Sequence, residues 1–185
     1  MKKIILIVAT ILLTVACSKD ENEPKNPTVN NEPFTFLKVG NEWEYGNYHN
    51  YTHNGEFELS DTYTIELVPS ENDYFKLKRI PEISPYTWWN MDANAWYEGA
   101  GGYGSGIKLP KNCYVGLKFN EWELGYSEVV SVSETVIVPA GIFKNCIKIK
   151  VPNYGKGEYH WYHKNYGLIM LELENLMYKL HSTNF

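Results

Sequence analysis

The second half of the chain constrains the fold most, because it is a series of short runs rich in β-branched residues, separated by turn residues. Glu128–Val138 and Ile142–Val151 are followed by shorter runs at Glu158–Lys164, Gly167–Leu173 and Leu176–His181. β-branched residues suit a pleated, half-buried surface. Runs this close together predict four successive hairpins, and therefore one antiparallel sheet.

The connection between the first two runs is the tetrapeptide Val138–Gly141 (VPAG). Proline at the second position presets φ, and glycine at the fourth position is typical of a type I turn. We therefore expect a tight hairpin at this point.

The first half continues the same pattern. In Glu42–His53, alternation places Trp43, Tyr45 and Asn47 on one side of a strand. After the hairpin signal Asn54-Gly55, apolar residues recur at Phe57, Leu59, Tyr63, Ile65 and Leu67. No segment has helical apolar spacing over enough length to predict a helix. The sequence therefore predicts one all-β domain over residues 34–185, built as a single antiparallel meander sheet.

Residues 1–16 predict an export signal. Two lysines precede the apolar run Ile4–Val15, which is too short to span a bilayer at about 20 residues per helix. The run ends in Leu13–Cys17 (LTVAC), which resembles a bacterial lipobox, where the cysteine becomes the acylated first residue of the mature protein. We expect Cys17 to be diacylated, with palmitate among the acyl chains, and to anchor the protein in a membrane. The alternative is an ordinary secretory signal cut near Ala16.

Residues 17–33 predict a flexible tether, because this segment is rich in proline, asparagine and glutamate and has a single valine. Ser18–Glu21 resembles the tag of lysine and acidic residues in surface-exposed lipoproteins of Bacteroidetes. We therefore expect an outer-membrane protein displayed at the cell surface. The alternative interpretation of Ser18–Glu21 is a solvated part of the tether.

The charge balance argues against a nucleic-acid partner. The chain has 17 basic and 22 acidic residues, and loss of residues 1–16 removes two of the lysines. Nucleic-acid binding depends on basic groups that neutralise phosphates. We expect an acidic, monomeric protein whose membrane contact is its lipid.

The segment Tyr86–Gly106 is the least strand-like and combines many aromatic residues with glycines. Its candidate ligand-binding residues are Trp88, Trp89, Trp96, Tyr97 and Tyr103. Asp92-Ala93-Asn94 can turn the chain, which would let the two aromatic pairs face each other across a hairpin. Adjacent tryptophans point to opposite faces of a strand, so one of Trp88 and Trp89 must leave a one-sided core. An outward tryptophan could stack on a sugar ring; the alternative is that these aromatics fill covered faces or cap a sheet edge.

The histidines and cysteines predict neither a metal nor a cofactor. His49 and His53 share a strand face, and His160 and His163 bracket Trp161-Tyr162, but no acidic or cysteine cluster accompanies them.

Cys113 and Cys146 could form a disulfide after export. Strict alternation instead places Cys146 outward with Lys148, unless a bulge near Lys144-Asn145 turns it inward. We expect two free thiols.

The chain carries no catalytic signature, since a nucleophile elbow, a paired-carboxylate motif and a zinc-binding helix are all missing from the sequence. We therefore expect a protein that is not an enzyme. A glycosidase built on scattered carboxylates such as Glu98 and Glu121 stays open, because its two acids need not be close in sequence.

One short motif occurs twice. Val39-Gly40 precedes Trp43, and Val115-Gly116 precedes Trp122. Two similar half-sheets would explain this, and so would chance.

Four motifs together resemble a known family. They are Val39–Tyr45 (VGNEWEY), Leu109-Pro110 with the second Val-Gly, Val138–Lys148 (VPAGIFKNCIK), and Gly167–Glu172 (GLIMLE). The set resembles a family of exported domains of unknown function that is common among Bacteroidetes lipoproteins, over roughly residues 34–181. The resemblance implies an antiparallel sheet curved into a half-open barrel, like those of periplasmic lipoprotein carriers. It brings no catalytic residues.

These observations favour a lipid-anchored, non-catalytic binding or accessory domain, with Tyr86–Gly106 as a contact surface for a glycan. Three alternatives stay open: a half-barrel carrier of a lipid or other hydrophobic ligand, a structural envelope protein, and a hydrolase.

Overall fold

The computed structural model describes residues 34–51, 55–70, 75–81, 87–92, 94–100, 105–120, 125–152 and 158–185. Within these ranges the chain forms twelve β-strands and no helix, so it also has no helix that could span a membrane. The prediction of an all-β fold is confirmed. The predicted signal peptide, Cys17 and the tether lie outside the described residues.

The first half of the chain supplies six strands. They are β1 (Glu42–His49), β2 (Glu58–Val68), β3 (Phe75–Ile80), β4 (Thr87–Met91), β5 (Ala95–Ala100) and β6 (Ser105–Pro110). Each pairs antiparallel with the next. The β4–β5 hairpin turns at Asp92. Its Oδ1 accepts hydrogen bonds from the backbone N–H groups of Asn94 and Ala95, at 2.6 and 2.9 Å. The segment that looked least strand-like therefore consists largely of strands.

The second half supplies the other six strands. They are β7 (Lys118–Asn120), β8 (Tyr126–Val138), β9 (Gly141–Val151), β10 (Glu158–His163), β11 (Gly167–Glu172) and β12 (Leu176–Thr183). The four predicted hairpins are present. Only Pro139 and Ala140 separate β8 from β9. Neither residue has a positive φ, which agrees with a type I turn, because both central residues of that turn have negative φ.

The two halves meet in the middle of a single sheet. β1 pairs antiparallel with β12, with Trp43 opposite Thr183, which gives the strand order β6-β5-β4-β3-β2-β1-β12-β11-β10-β9-β8-β7. The outer strands β6 and β7 approach each other but do not pair within the described residues. The predicted meander and its curvature into a half-open barrel are confirmed, with one unsealed seam between β6 and β7.

The two Val-Gly motifs have the same local structure. Gly40 and Gly116 have φ values of 87° and 88°, a left-handed conformation that glycine adopts without strain. Each turn makes the same pair of bonds to the neighbouring hairpin strand. These bonds are Gly40 N to Leu67 O (2.8 Å), Leu67 N to Asn41 O (3.0 Å), Gly116 N to Val129 O (2.8 Å) and Val129 N to Leu117 O (2.9 Å). One turn therefore introduces β1–β6, and an equivalent turn introduces β7–β12.

An aromatic layer closes the end of the barrel at which the odd-numbered strands begin. Phe34, Phe36 and Leu37 precede β1 and are buried. The ring of Phe36 lies 5.0 Å from Trp96 and 6.1 Å from Trp43, between ring centroids. This layer, which we call the plug, separates the barrel interior from solvent at that end.

Two residues, Cys146 and Leu59, depart from the burial that strict alternation along their strands predicts. Cys146 is fully buried because Asn145 adopts a left-handed φ of 59°, where the β8–β9 register shifts. The bulge near Lys144-Asn145, which the sequence allowed as an alternative, is therefore present. Cys113 and Cys146 are both free thiols. Leu59, which alternation placed with the core residues, is half exposed, because the first residues of β2 are exposed on both faces.

Candidate binding cavity

A cavity of about 250 Å³ lies inside the barrel, next to the plug. Its apolar wall comes from β2, β3 and β11, and consists of Ile65, Leu77, Leu168 and Leu171. Since inward side chains alternate along each strand, strands from both halves of the chain contribute to the same interior surface.

Five aromatic residues form a second part of the wall: Tyr45, Tyr63, Trp89, Trp96 and Tyr162. Trp96 packs edge-on against Trp89 at 4.8 Å and against Tyr162 at 5.5 Å, between ring centroids. The hydroxyl of Tyr45 donates to the carbonyl of Leu168 at 2.9 Å. Burial raises the pKa of Tyr45 and of Tyr63, so both phenols stay neutral at physiological pH.

The structure separates the aromatic residues that the sequence grouped as one contact surface. Trp89 and Trp96 are 5% and 1% exposed and line the cavity, so they do not form an outer surface. Tyr97 lies on the opposite face of β5, where its hydroxyl donates to Asp92 Oδ2 at 2.9 Å. Trp88 pairs through its backbone with Gly99; its side chain and the whole of Tyr103 lie outside the described residues.

The cavity concentrates buried donors that lack a partner. Within the described part of the chain, five buried side-chain polar atoms have no hydrogen-bond partner. Three of these five atoms belong to residues that line the cavity. These three are Arg79 Nε, Trp89 Nε1 and Trp96 Nε1. Each buried donor left unpaired costs about 1–3 kcal/mol. None of the three atoms is itself exposed at the cavity surface, so a bound acceptor would remove that cost only after a small shift of the side chain.

Charged side chains lie on one part of the wall. Lys108 Nζ and Glu98 Oε2 are 3.4 Å apart. Arg79 stacks on Tyr63, with its Cζ 3.9 Å from the ring centroid. In the sequence Glu98 was identifiable only as a scattered carboxylate, and Glu121, considered together with it, lies outside the described residues.

His160 connects the cavity wall to a buried polar chain within β10. Its Nδ1 lies 2.9 Å from the hydroxyl of Tyr162, and its Nε2 contacts Glu158 Oε1. These three residues alternate along one strand and therefore share a face. The same alternation was present in the sequence and could have grouped them. With both ring nitrogens engaged, His160 serves to fix the position of Tyr162.

His163 and His181 line a different depression from the cavity that His160 lines. His163 lies in a wider, more open depression of about 820 Å³ on the outside of the barrel, beside Phe143 and Tyr166, and burial lowers its pKa. None of the unpartnered buried atoms found in the described ranges lies in that depression. In those same ranges, no group of three or more His, Cys, Asp or Glu side chains could hold a metal ion. The interior cavity is therefore the better candidate for a binding site.

No family model and no curated protein matches the chain. A crystal structure that it matches is that of "a putative lipoprotein from Parabacteroides distasonis ATCC 8503", with 14% sequence identity and a TM-score of 0.41. The match covers 82% of this chain and 98% of that chain. A likeness at this TM-score carries no argument about function, so the geometry of the cavity has to supply it.

Proposed function

We propose that this protein is a lipid-anchored, non-catalytic binding protein of the cell envelope, which acts as a monomer and holds a small ligand inside its barrel. The observation that carries this proposal is the interior cavity, whose wall includes three residues that each have a buried, unpartnered N–H donor: Arg79, Trp89 and Trp96. A barrel with a purely structural role would be more stable with an apolar interior, because a partly satisfied polar network costs more than apolar packing.

The size of the cavity limits the ligand. Its volume of about 250 Å³ equals roughly eight water molecules at about 30 Å³ each. Sites for drug-sized ligands have volumes of about 300–1,000 Å³. A compact ligand, such as a single sugar ring or a short amphipathic molecule, suits this space better than a long acyl chain.

The anchor and the location are part of the same proposal. The lipobox-like Leu13–Cys17 supports acylation of Cys17, and Ser18–Glu21 supports display at the surface of the outer membrane. Metabolic labelling with a radioactive fatty acid, followed by membrane fractionation, tests the anchor. Labelling should disappear in Cys17→Ser, and labelling that persists would contradict it.

A pair of matched substitutions tests interior binding. Ile65 lines the cavity, so Ile65→Trp should fill it. Leu59 lies on the same strand and is 50% exposed, so Leu59→Trp adds the same side chain outside. Both variants and the parent would be screened by ligand-observed NMR against sugars, short organic acids, their neutral analogues and fatty acids, after circular dichroism has shown that each is folded.

Three outcomes separate the candidate functions. Binding that Leu59→Trp keeps and Ile65→Trp loses supports the interior site. Glycan binding that Ile65→Trp keeps, and that Tyr97→Ala or Trp88→Ala loses, supports an outer aromatic surface instead. If no ligand binds to the parent, the binding proposal should be replaced by a structural role.

A further inference from the structure

The charged groups of the cavity are unevenly matched. Glu98 and Lys108 form an ion pair across β5 and β6 at 3.4 Å. Arg79 on β3 contacts the ring of Tyr63, and it forms no ion pair with any residue in the described ranges. Arg79 is half-buried, so its charge is only partly solvated. The cavity therefore presents one positive charge that no described carboxylate is paired with.

The three unpartnered atoms that belong to cavity-lining residues are all donors. Arg79 Nε and the indole nitrogens of Trp89 and Trp96 are buried without an acceptor within the described part of the chain. A ligand that supplies acceptors could pair with these atoms after a small shift of the three side chains, whereas a ligand that supplies donors could not. A carboxylate supplies only acceptors, and it binds guanidinium in a planar, charge-assisted arrangement. A sugar hydroxyl also brings donors, which these three atoms cannot accept.

The wall formed by Ile65, Leu77, Leu168 and Leu171 is apolar, so the rest of the ligand should be apolar as well. We propose that the cavity binds a small carboxylate with a compact aromatic or aliphatic body, its carboxylate at the Arg79 guanidinium and its body against this wall. This inference rests on the proposed interior binding, and it specifies the class of ligand.

Pairs of probes that differ only in charge test the inference. Phenylacetate would be compared with phenylacetamide, and hexanoate with hexanamide, by isothermal titration calorimetry and by tryptophan fluorescence. Trp89 and Trp96 line the cavity, so a bound probe should change the emission. We expect the parent protein to bind at least one acid about tenfold or more tightly than its amide, because hydrogen bonds to charged groups are the stronger ones.

Two neighbouring residues on β3 give a matched pair of variants. Arg79→Gln removes the positive charge, so it should weaken binding of the acid far more than binding of the amide and thereby abolish the preference for the acid. Lys78→Gln removes a charge from the next residue, whose side chain is 56% exposed and paired with Glu66 at 3.4 Å, and it should leave the preference intact. Arg79→Lys should restore part of it, since it keeps the charge and loses the planar fork.

The outcomes separate this inference from the proposed function. Equal binding of acid and amide by the parent would overturn the carboxylate assignment, even if Arg79→Gln did not fold. Acid binding that a folded Arg79→Gln retains would do the same. In both cases interior binding stands if Ile65→Trp blocks it. If neither probe pair binds while a neutral ligand is blocked by Ile65→Trp, only the carboxylate assignment fails; if nothing binds, both proposals fail.

Discussion

Gly46 lies in the middle of β1, where any side chain would meet β12. A Cβ atom at this position would overlap the ring of His181. That ring is held by a hydrogen bond between His181 Nε2 and the hydroxyl of Tyr48, 2.8 Å apart. The glycine is therefore required by the close approach of a neighbouring side chain.

We expect Gly46→Ala to destabilise the protein by on the order of 1 kcal/mol, because the ring must move and its hydrogen bond is lost. In the His181→Ala background the obstacle is gone, and alanine should stabilise the strand by roughly 0.5–1 kcal/mol relative to glycine. Urea unfolding of the four proteins measures both values. The same sign in both backgrounds would show that His181 is not the cause.

Gly141 presents the opposite case. It has a φ of 136°, and a Cβ there would meet nothing within 4 Å. The cost of replacing it is therefore a backbone cost alone. We expect Gly141→Val and Gly141→Ala each to destabilise the β8–β9 hairpin by on the order of 1 kcal/mol or more. Thermal unfolding that is unchanged in both variants would show that glycine is not needed.

The two thiols should react slowly in the folded protein. Burial raises the pKa of Cys146 to about 11 and that of Cys113 to about 12, and the reactive form is the thiolate. Alkylation should therefore accelerate about tenfold per pH unit from pH 8 to pH 10, where an ordinary thiol with a pKa of about 8.5 would level off. Denatured protein provides the control. Intact mass that shows a disulfide would contradict the expectation of two free thiols.

At the scale of elements, the long strands and the hairpin turn at Asp92 were predictable, whereas the strands of the aromatic segment were not. β8 and β9 are long and rich in β-branched residues, so alternation identifies them. β4, β5 and β6 are short, and in the adjacent pairs Trp88-Trp89 and Trp96-Tyr97 no polar residue marks the outer face. The pairing register of β4 and β5 was not predictable either. Trp89 lies opposite Glu98 and Trp96 lies opposite Met91. This register depends on turn length and strand twist, which the residues of a single segment do not specify.

The plug should contribute to stability in proportion to its burial. Phe36 is fully buried and packs on Trp43 and Trp96, so Phe36→Ala should cost about 3–5 kcal/mol. Thr35 is exposed, and Thr35→Ala should change little. A chain that starts at Phe34 should unfold at the same temperature as one that starts at Cys17, because the composition of the tether predicts no buried surface. Differential scanning calorimetry compares all four, and a large loss on truncation would place the tether in the fold.

At the scale of the whole molecule, the binding cavity depends on closure of the sheet. The expectation that one tryptophan faces outward for binding assumed a sheet with one covered face. Because the sheet curves into a barrel, its inner face provides both the core and the cavity. Alternation along Phe75–Ile80 places Arg79 on the same face as Phe75 and Leu77, so its inward position could have been predicted from the sequence. The position of Lys108 could not, because the register between β5 and β6 shifts beside it.

The strand order has a consequence for how the chain could be reconnected. The ends of the folded part are neighbours, since β1 pairs with β12 and the ring of Phe185 lies 5.3 Å from that of Trp43. The seam between β6 and β7 lies between strands that are consecutive in sequence. Joining Phe185 to Phe34 by a short glycine-serine linker, and starting the chain at Cys113, would give a circular permutant in which every strand pair is local.

Such a permutant breaks no strand pair, because its new ends lie beside the edges that are already unpaired. In the permutant the pairing of β12 with β1 becomes a hairpin. In the natural order the same pairing joins the two strands that are farthest apart in sequence. Folding rates rise as contacts become more local, so the permutant should fold faster than the parent in stopped-flow refolding, with similar equilibrium stability. Slower folding would show that the pairing of β1 with β12 does not limit the rate. The present order of the chain is one of several ways to cut the same series of strands, and in it the predicted tether leads directly into the plug along the sequence.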